Sequence, residues 1–155
     1  VENVEKLKKP IQMLIGEYRY NIDQKGRLMI PAKFRQIFGL EAIVTRGIDK
    51  CLFVFPKSEW EKVVEKLLKL PISQASSRAF TRLMLSGAHQ VEIDSQGRIL
   101  IPENLRKYAE ITKKVVVVGL YSRLEIWDEK NWEKYKEESE KQAQEIAEKL
   151  SELGI

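Results

Sequence analysis

Residues 22–35, IDQKGRLMIPAKFR, return 71 positions later as residues 93–106, IDSQGRILIPENLR, with seven of the fourteen positions identical. Past a one-residue insertion the correspondence resumes at an offset of 72: Gly47 with Gly119, Leu52 with Leu124, Trp60 with Trp132. This is a duplicated unit, and internal repetition narrows the possible folds more than any other sequence feature. One copy holds about 50 residues of short strands, which is marginal for a self-sufficient core. Two copies packed pseudo-symmetrically bury what one leaves exposed. No Gly/Ser/Pro-rich linker divides them, so the 155 residues predict one composite β-rich body rather than two beads on a string.

Each copy gives the same succession of elements. Alternation at period 2, through Tyr18, Tyr20 and Ile22 in copy one and Val91 and Ile93 in copy two, predicts a half-buried strand. Gln24-Lys25-Gly26 and Ser95-Gln96-Gly97 supply turn chemistry, each glycine being available for a positive φ. A second strand follows, over 27–30 and 98–101, and would close a hairpin. Pro31 and Pro102 suit the first position of short helices over 31–38 and 102–109. Two further strands come next, 42–46 with 52–55 and 115–119 with 124–127, and a longer helix begins near Ser58 and near Glu129. Residues 74–86 read as an additional helix carrying Arg78 and Arg82.

Trp60 and Trp132 recur with apolar neighbours at helical spacing and read as packing residues. Trp132, Tyr135, Ser139, Ala143, Ile146, Leu150 and Leu153 follow steps of three and four, so the C-terminal helix is amphipathic. Its apolar stripe outlasts the duplicated unit and suits packing onto the body or onto a neighbouring subunit. The organisation is then an N-terminal extension, 1–12, a first repeat, 13–70, an inter-repeat helix, 71–86, a second repeat, 87–135, and a C-terminal helix extension, 136–155.

The net charge of +4 conceals a division. From Asp128 onward five lysines face nine acids, whereas the preceding part carries 22 basic and 14 acidic residues. A basic body with an acidic tail is the footprint of a nucleic-acid binder, and equally the charge of a soluble protein with a solvated helical end. The duplicated turn is more informative. In Asp23-Gln24-Lys25-Gly26-Arg27 and Asp94-Ser95-Gln96-Gly97-Arg98 an arginine leaves a Gly-containing turn. Its planar fork matches guanine O6 and N7, and a two-stranded ribbon fits a major groove about 12 Å wide. Arg27 and Arg98 are therefore the candidate base-reading residues, with Lys25 and its counterpart Gln96 as further DNA contacts. Asp23, Gly26, Asp94 and Gly97 take structural roles: the carboxylates hold the arginine or cap the turn amides, since a carboxylate at a phosphate is repelled. The competing reading is a turn closed by an Asp–Arg ion pair with no ligand. Arg35 and Arg106 recur late in the short helices, where a cation suits a helix C-terminus with or without DNA. Arg78 and Arg82, four apart on one helical face, suit a phosphate or a subunit contact.

These twin Asp-x-x-Gly-Arg motifs, each running into a Leu/Ile-rich strand and a Pro, together with Gly119 and Glu125-Ile126-Trp127-Asp128, closely resemble the MraZ family over about residues 13–135. The resemblance implies a β-rich α+β fold: a tandem, pseudo-symmetric version of the AbrB-like swapped-hairpin β-barrel, with short helices and a C-terminal amphipathic helix. It further implies a transcriptional regulator, a repressor of the bacterial division and cell-wall gene cluster including its own operon. Its partners would be double-stranded DNA bearing G-rich direct repeats and further copies of itself in a ring-shaped homo-oligomer, in the cytoplasm and at the nucleoid. Family chains typically begin near Met13, so residues 1–12 stand outside the resemblance.

Other chemistry finds little footing. His89 and Cys51 are the sole residues of their types, stand in non-equivalent places and lack any motif for nucleophilic catalysis. No phosphate-cradling Gly-rich loop or dinucleotide fingerprint is present. No catalytic residue, metal, cofactor or small-molecule substrate is expected. The apolar stretch from Val115 to Val118, extended by Gly119 and Leu120, is far short of the roughly 20 residues of a membrane helix, and no leader for export is expected. Besides the DNA-binding repressor, an AbrB-like protein-interaction or scaffold ring without specific DNA reading remains, and an RNA-acting factor or enzyme only nominally.

Overall fold

The computed structural model describes residues 13–155; the extension over 1–12 lies outside the described residues. In chain order these form β1 (Leu14–Asn21), β2 (Arg27–Met29), a 3-10 turn (Ala32–Phe34) continuing as α1 (Arg35–Phe38), β3 (Glu41–Arg46), β4 (Leu52–Phe55), α2 (Lys57–Leu68) and α3 (Ala75–Ser86). The second half follows as β5 (His89–Glu92), β6 (Arg98–Leu100), α4 (Glu103–Tyr108), β7 (Lys114–Tyr121), β8 (Leu124–Asp128), α5 (Glu129–Lys141) and α6 (Ala143–Ser151). Pro31 and Pro102 stand at the N-caps, one residue before the position expected of them.

Six strands form an antiparallel sheet in the order β1-β7-β8-β4-β3-β5, and β2 pairs with β6 as a separate ribbon. With the repeat offset applied, that order is a palindrome: β1 corresponds to β5, β7 to β3 and β8 to β4. A pseudo-twofold axis therefore passes between β4 and β8, where Phe53 opposes its own counterpart Glu125. The same axis crosses the ribbon at Leu28 opposite Ile99, again a residue facing its counterpart.

Two expectations need correction. The first two strands of each copy do not form a hairpin with each other: the turn between them is closed, but β1 pairs with β7 and β2 with β6. Alternation shows which face of a strand is buried and says nothing of its neighbour. The expected barrel is also not closed, since the sheet ends at β1 and β5 and the ribbon lies apart from it.

Burial explains the patterning. The central strands are covered on both faces, so they read as continuous apolar runs rather than alternating ones. One face of the sheet, including Val44, Val54, Val117 and Ile126, packs under the ribbon's Leu28 and Ile99 and the short-helix residues Phe34 and Leu105. The other face, including Ile43, Phe55, Val116 and Trp127, packs against Leu67 of α2 and Met84 of α3. Trp60 meets Phe55 with ring centroids 5.5 Å apart, and Trp132 meets Trp127 at 5.3 Å. The predicted single C-terminal helix is two, broken at Gln142 (φ −99°, ψ 7°). Its first half is seated by Trp132 and Tyr135 on Trp127, whereas the residues of α6 are all exposed.

Candidate nucleic-acid interface

Both Asp-x-x-Gly-Arg segments fold into the same latch. The Gly26 amide donates to the Asp23 carbonyl at 3.0 Å and the Asp23 amide to the Arg27 carbonyl at 3.1 Å; the second copy repeats both bonds at 2.9 Å. Gly26 (φ 88°) and Gly97 (φ 82°) take the left-handed conformation that ends such a three-residue loop. Asp23 Oδ1 accepts from the backbone amides of Lys25 (3.0 Å) and Arg27 (2.8 Å), and its Oδ2 accepts from Arg27 Nε at 2.6 Å. Asp94 makes the same three bonds, to Gln96 N, Arg98 N and Arg98 Nε, each at 2.9 Å. The backbone hydrogen bonds from Arg27 and Arg98, ahead of the guanidinium contacts, hold both carboxyls below their ordinary value. With Nε engaged, the end of each guanidinium that Asp does not use is the Nη1/Nη2 pair, which is itself a two-pronged donor.

The latches are interlocked across the pseudo-twofold. Gly26 O accepts from Ile101 N at 2.8 Å and Gly97 O from Ile30 N at 2.9 Å, so each turn is held by the other copy. Arg35 and Arg106 turn back to their own copies' Ile30 and Ile101 carbonyls through Nε, at 3.3 and 3.1 Å. Their guanidiniums lie over the opposite glycines: a Cβ at Gly26 would meet Arg106 Cζ at 2.9 Å, and one at Gly97 would collide with Arg35. These two arginines are thus turn supports.

Register places the base-reading candidates. Arg27 opposes Leu100 and Arg98 opposes Met29, so all four lie on the outer face of the ribbon, with Leu28 and Ile99 turned inward. Arg27 and Arg98 are diagonal neighbours about 8 Å apart. Lys25 and Gln96 stand exposed at the two turns. A groove of about 420 Å³ runs along this face, lined by both arginines and by His89, Glu92, Asp94 and Leu100 among others. The β5 residues His89 and Glu92 carry no motif, and no sequence signal placed them beside the ribbon.

Arg78 and Arg82 are not brought to this face, because α3 packs on the opposite side of the sheet through Met84. Cys51 is fully buried, donates to the Ile48 carbonyl at 3.0 Å, and burial pushes its thiol up. Among the described residues no group of three or more His, Cys, Asp or Glu is placed to hold a metal ion, and no helix is long and apolar enough to cross a membrane.

The family described as "MraZ protein, putative antitoxin-like" matches this chain twice, over residues 13–83 and 84–152. The chain belongs to the MraZ family. Each match carries one latch, and the two meet inside α3. Among curated relatives, "Transcriptional regulator MraZ" of Halothermothrix orenii is 50% identical over 143 residues, covering 92% of this chain and all of the relative. Proteins of the same name from Desulforamulus reducens and Moorella thermoacetica are each 48% identical, over 91% and 92% of this chain and 99% and 100% of their own lengths. The MraZ resemblance read from the twin turns thus extends over nearly all the described chain.

Proposed function

We propose that this chain is a sequence-specific DNA-binding transcriptional regulator that reads guanines with Arg27 and Arg98. The observation that carries the reading is the pair of Asp-latched arginines on the outer face of one two-stranded ribbon. Their spacing of about 8 Å is little more than two base steps at 3.4 Å per step. One ribbon in one major groove therefore brings both forks to nearby base edges. The Asp bonds fix each fork before DNA arrives, so less conformational freedom is lost on binding. Lys25 and Gln96 add contacts at the turn tips, while Asp23, Gly26, Asp94 and Gly97 keep the shape. The relatives' shared name, transcriptional regulator, supports the same reading.

More finely, the chain represses the division and cell-wall gene cluster, its own operon included, by binding G-rich direct repeats in the promoter, in the cytoplasm and at the nucleoid. One chain offers two forks, and each bidentate contact discriminates by about 1–3 kcal/mol. Repeated sites favour repeated subunits, because linked contacts multiply through effective concentration. A closed ring of copies is the corresponding assembly. The family description "antitoxin-like" favours a second reading, a protein-interaction ring with incidental DNA affinity.

An electrophoretic shift with the DNA upstream of the chain's own gene, repeated with scrambled duplex over a salt series, separates the two. A specific regulator keeps its preference for the G-rich repeats as salt rises, since screening removes the non-specific part first. Equal retreat from both duplexes favours the interaction module. Light scattering that finds monomers at micromolar concentration, free and on DNA, rejects the ring.

A further inference from the structure

The face of the molecule away from the ribbon carries an apolar cleft between α2 and α3. Leu67, Leu68, Leu70, Pro71, Ile72 and Thr81 line a cavity of about 250 Å³, with Arg78 and Arg82 at its side. Ile72 is 82% exposed and Leu68 71%, more than a solvated surface needs from neighbouring apolar residues. The cleft's lining carries cations and no acid. From Lys66 to Val91 the sequence contains no Asp or Glu, while Lys66, Lys69, Arg78 and Arg82 fall within it. Arg78 donates to the Ile72 carbonyl at 2.9 Å, which fixes one cation against the cleft.

The same chain holds a second unpartnered surface of complementary kind. Ile146, Leu150 and Leu153 form one stripe of α6 and the turn after it, exposed by 40%, 36% and 74%. Glu145, Glu148 and Glu152 accompany the stripe, with Lys149 the one cation from Gln142 onward. An amphipathic helix and an apolar groove are a recurring pair in recognition. The acidic helix and the acid-free, cationic cleft match in both apolarity and sign.

We propose that α6 of one copy docks in the α2–α3 cleft of the next, with its glutamates beside Arg78 and Arg82. The contact is head-to-tail: the cleft of each copy is filled by its neighbour, and its own α6 is passed onward. Such heterologous contacts generate rings when the rotation closes. The inference rests on the oligomer within the proposed function and names the surfaces that would build it. It places the join on the side of the sheet opposite the ribbon, so assembly and DNA reading use separate faces.

The test mixes two full-length single-site variants, Ile72→Cys and Leu150→Cys, carrying tags of different size, and treats them with a short bifunctional maleimide. Both positions are exposed, and Cys51 is buried with its thiol pushed up, so the new thiols react first. The expected product is the mixed dimer between an Ile72→Cys chain and a Leu150→Cys chain, formed without DNA. Reversing the groove charge in Arg78→Glu/Arg82→Glu should lower its yield at least tenfold. Adding Glu145→Lys/Glu148→Lys to both partners should restore it. Leu150→Cys chains joined only to each other would show that α6 pairs with itself and overturn the proposal. Absence of the mixed dimer while light scattering still shows an oligomer would overturn this contact alone, whereas a monomer would overturn the oligomer as well.

Discussion

Asp23 and Asp94 act on their arginines as carboxylates, so the latch depends on pH in a defined direction. Both groups titrate below the ordinary 3.8 in the folded chain. A lowered folded value gives stabilisation that is complete above the unfolded range and is lost as pH falls through the folded value. The latches therefore stay closed across neutral pH, and carboxyl-detected NMR should place both midpoints below that of an unstructured Asp. A midpoint at or above the unstructured value for either would mean that the bonds to Arg27 or Arg98 do not persist in solution. The turn glycines are tested separately. Gly26→Ala and Gly97→Ala put a side chain at positive φ, beneath Arg106 or Arg35, and should each cost about 1–2 kcal/mol in denaturant unfolding. The Asp-to-Arg spacing and its duplication made the latch legible in the sequence. The support by Arg35 and Arg106 was not legible, because a basic residue at a short helix end looks the same whichever glycine it covers.

At the scale of elements, the pairing β2–β6 is one of the joints that make two halves into one body. Leu28 and Ile99 meet there on the pseudo-axis, both buried. Leu28→Ala or Ile99→Ala should cost about 2–5 kcal/mol, as for other buried large-to-small changes. Because both latches flank this pair, either change should weaken DNA binding without touching a base-reading residue. Calorimetric unfolding and anisotropy on the same samples would show it; full-strength binding by a strongly destabilised variant would not fit. Strand and helix positions could be read from period and turn chemistry, but partners could not. β1 and β2 are adjacent in sequence and joined by a closed turn, yet each finds its ladder in the other copy. The C-terminal break was hidden for a related reason: the stripe from Trp132 to Leu153 is continuous in sequence, although the helix breaks at Gln142.

For the whole molecule, crossed pairing implies one cooperative unit. β1–β7, β3–β5, β4–β8 and β2–β6 all join one copy to the other. Denaturant unfolding followed by tryptophan fluorescence and by circular dichroism should give coincident transitions. A fragment of residues 13–83 should show none, having lost every one of those partners; two separate transitions, or a folded fragment, would contradict a shared core. The composite body was foreseeable from the duplication, because neither half has apolar area enough alone. The open sheet was not, since closure depends on whether β1 and β5 reach each other, which no local pattern encodes.

The central claim is that Arg27 and Arg98 read bases rather than merely attract phosphate. The most direct measurement is fluorescence anisotropy of Arg27→Lys and Arg98→Lys on G-rich and scrambled duplexes over a salt series. Lysine keeps the charge but lacks the two-pronged geometry. Base reading predicts a loss of about 1–3 kcal/mol per contact on the G-rich repeats with an almost unaltered salt slope. Lys25→Ala should do the opposite, weakening every duplex alike and flattening the slope by about one contact. If both lysine variants bind the G-rich repeats as well as the parent, the paired Asp and Arg are turn staples and the reading surface lies elsewhere.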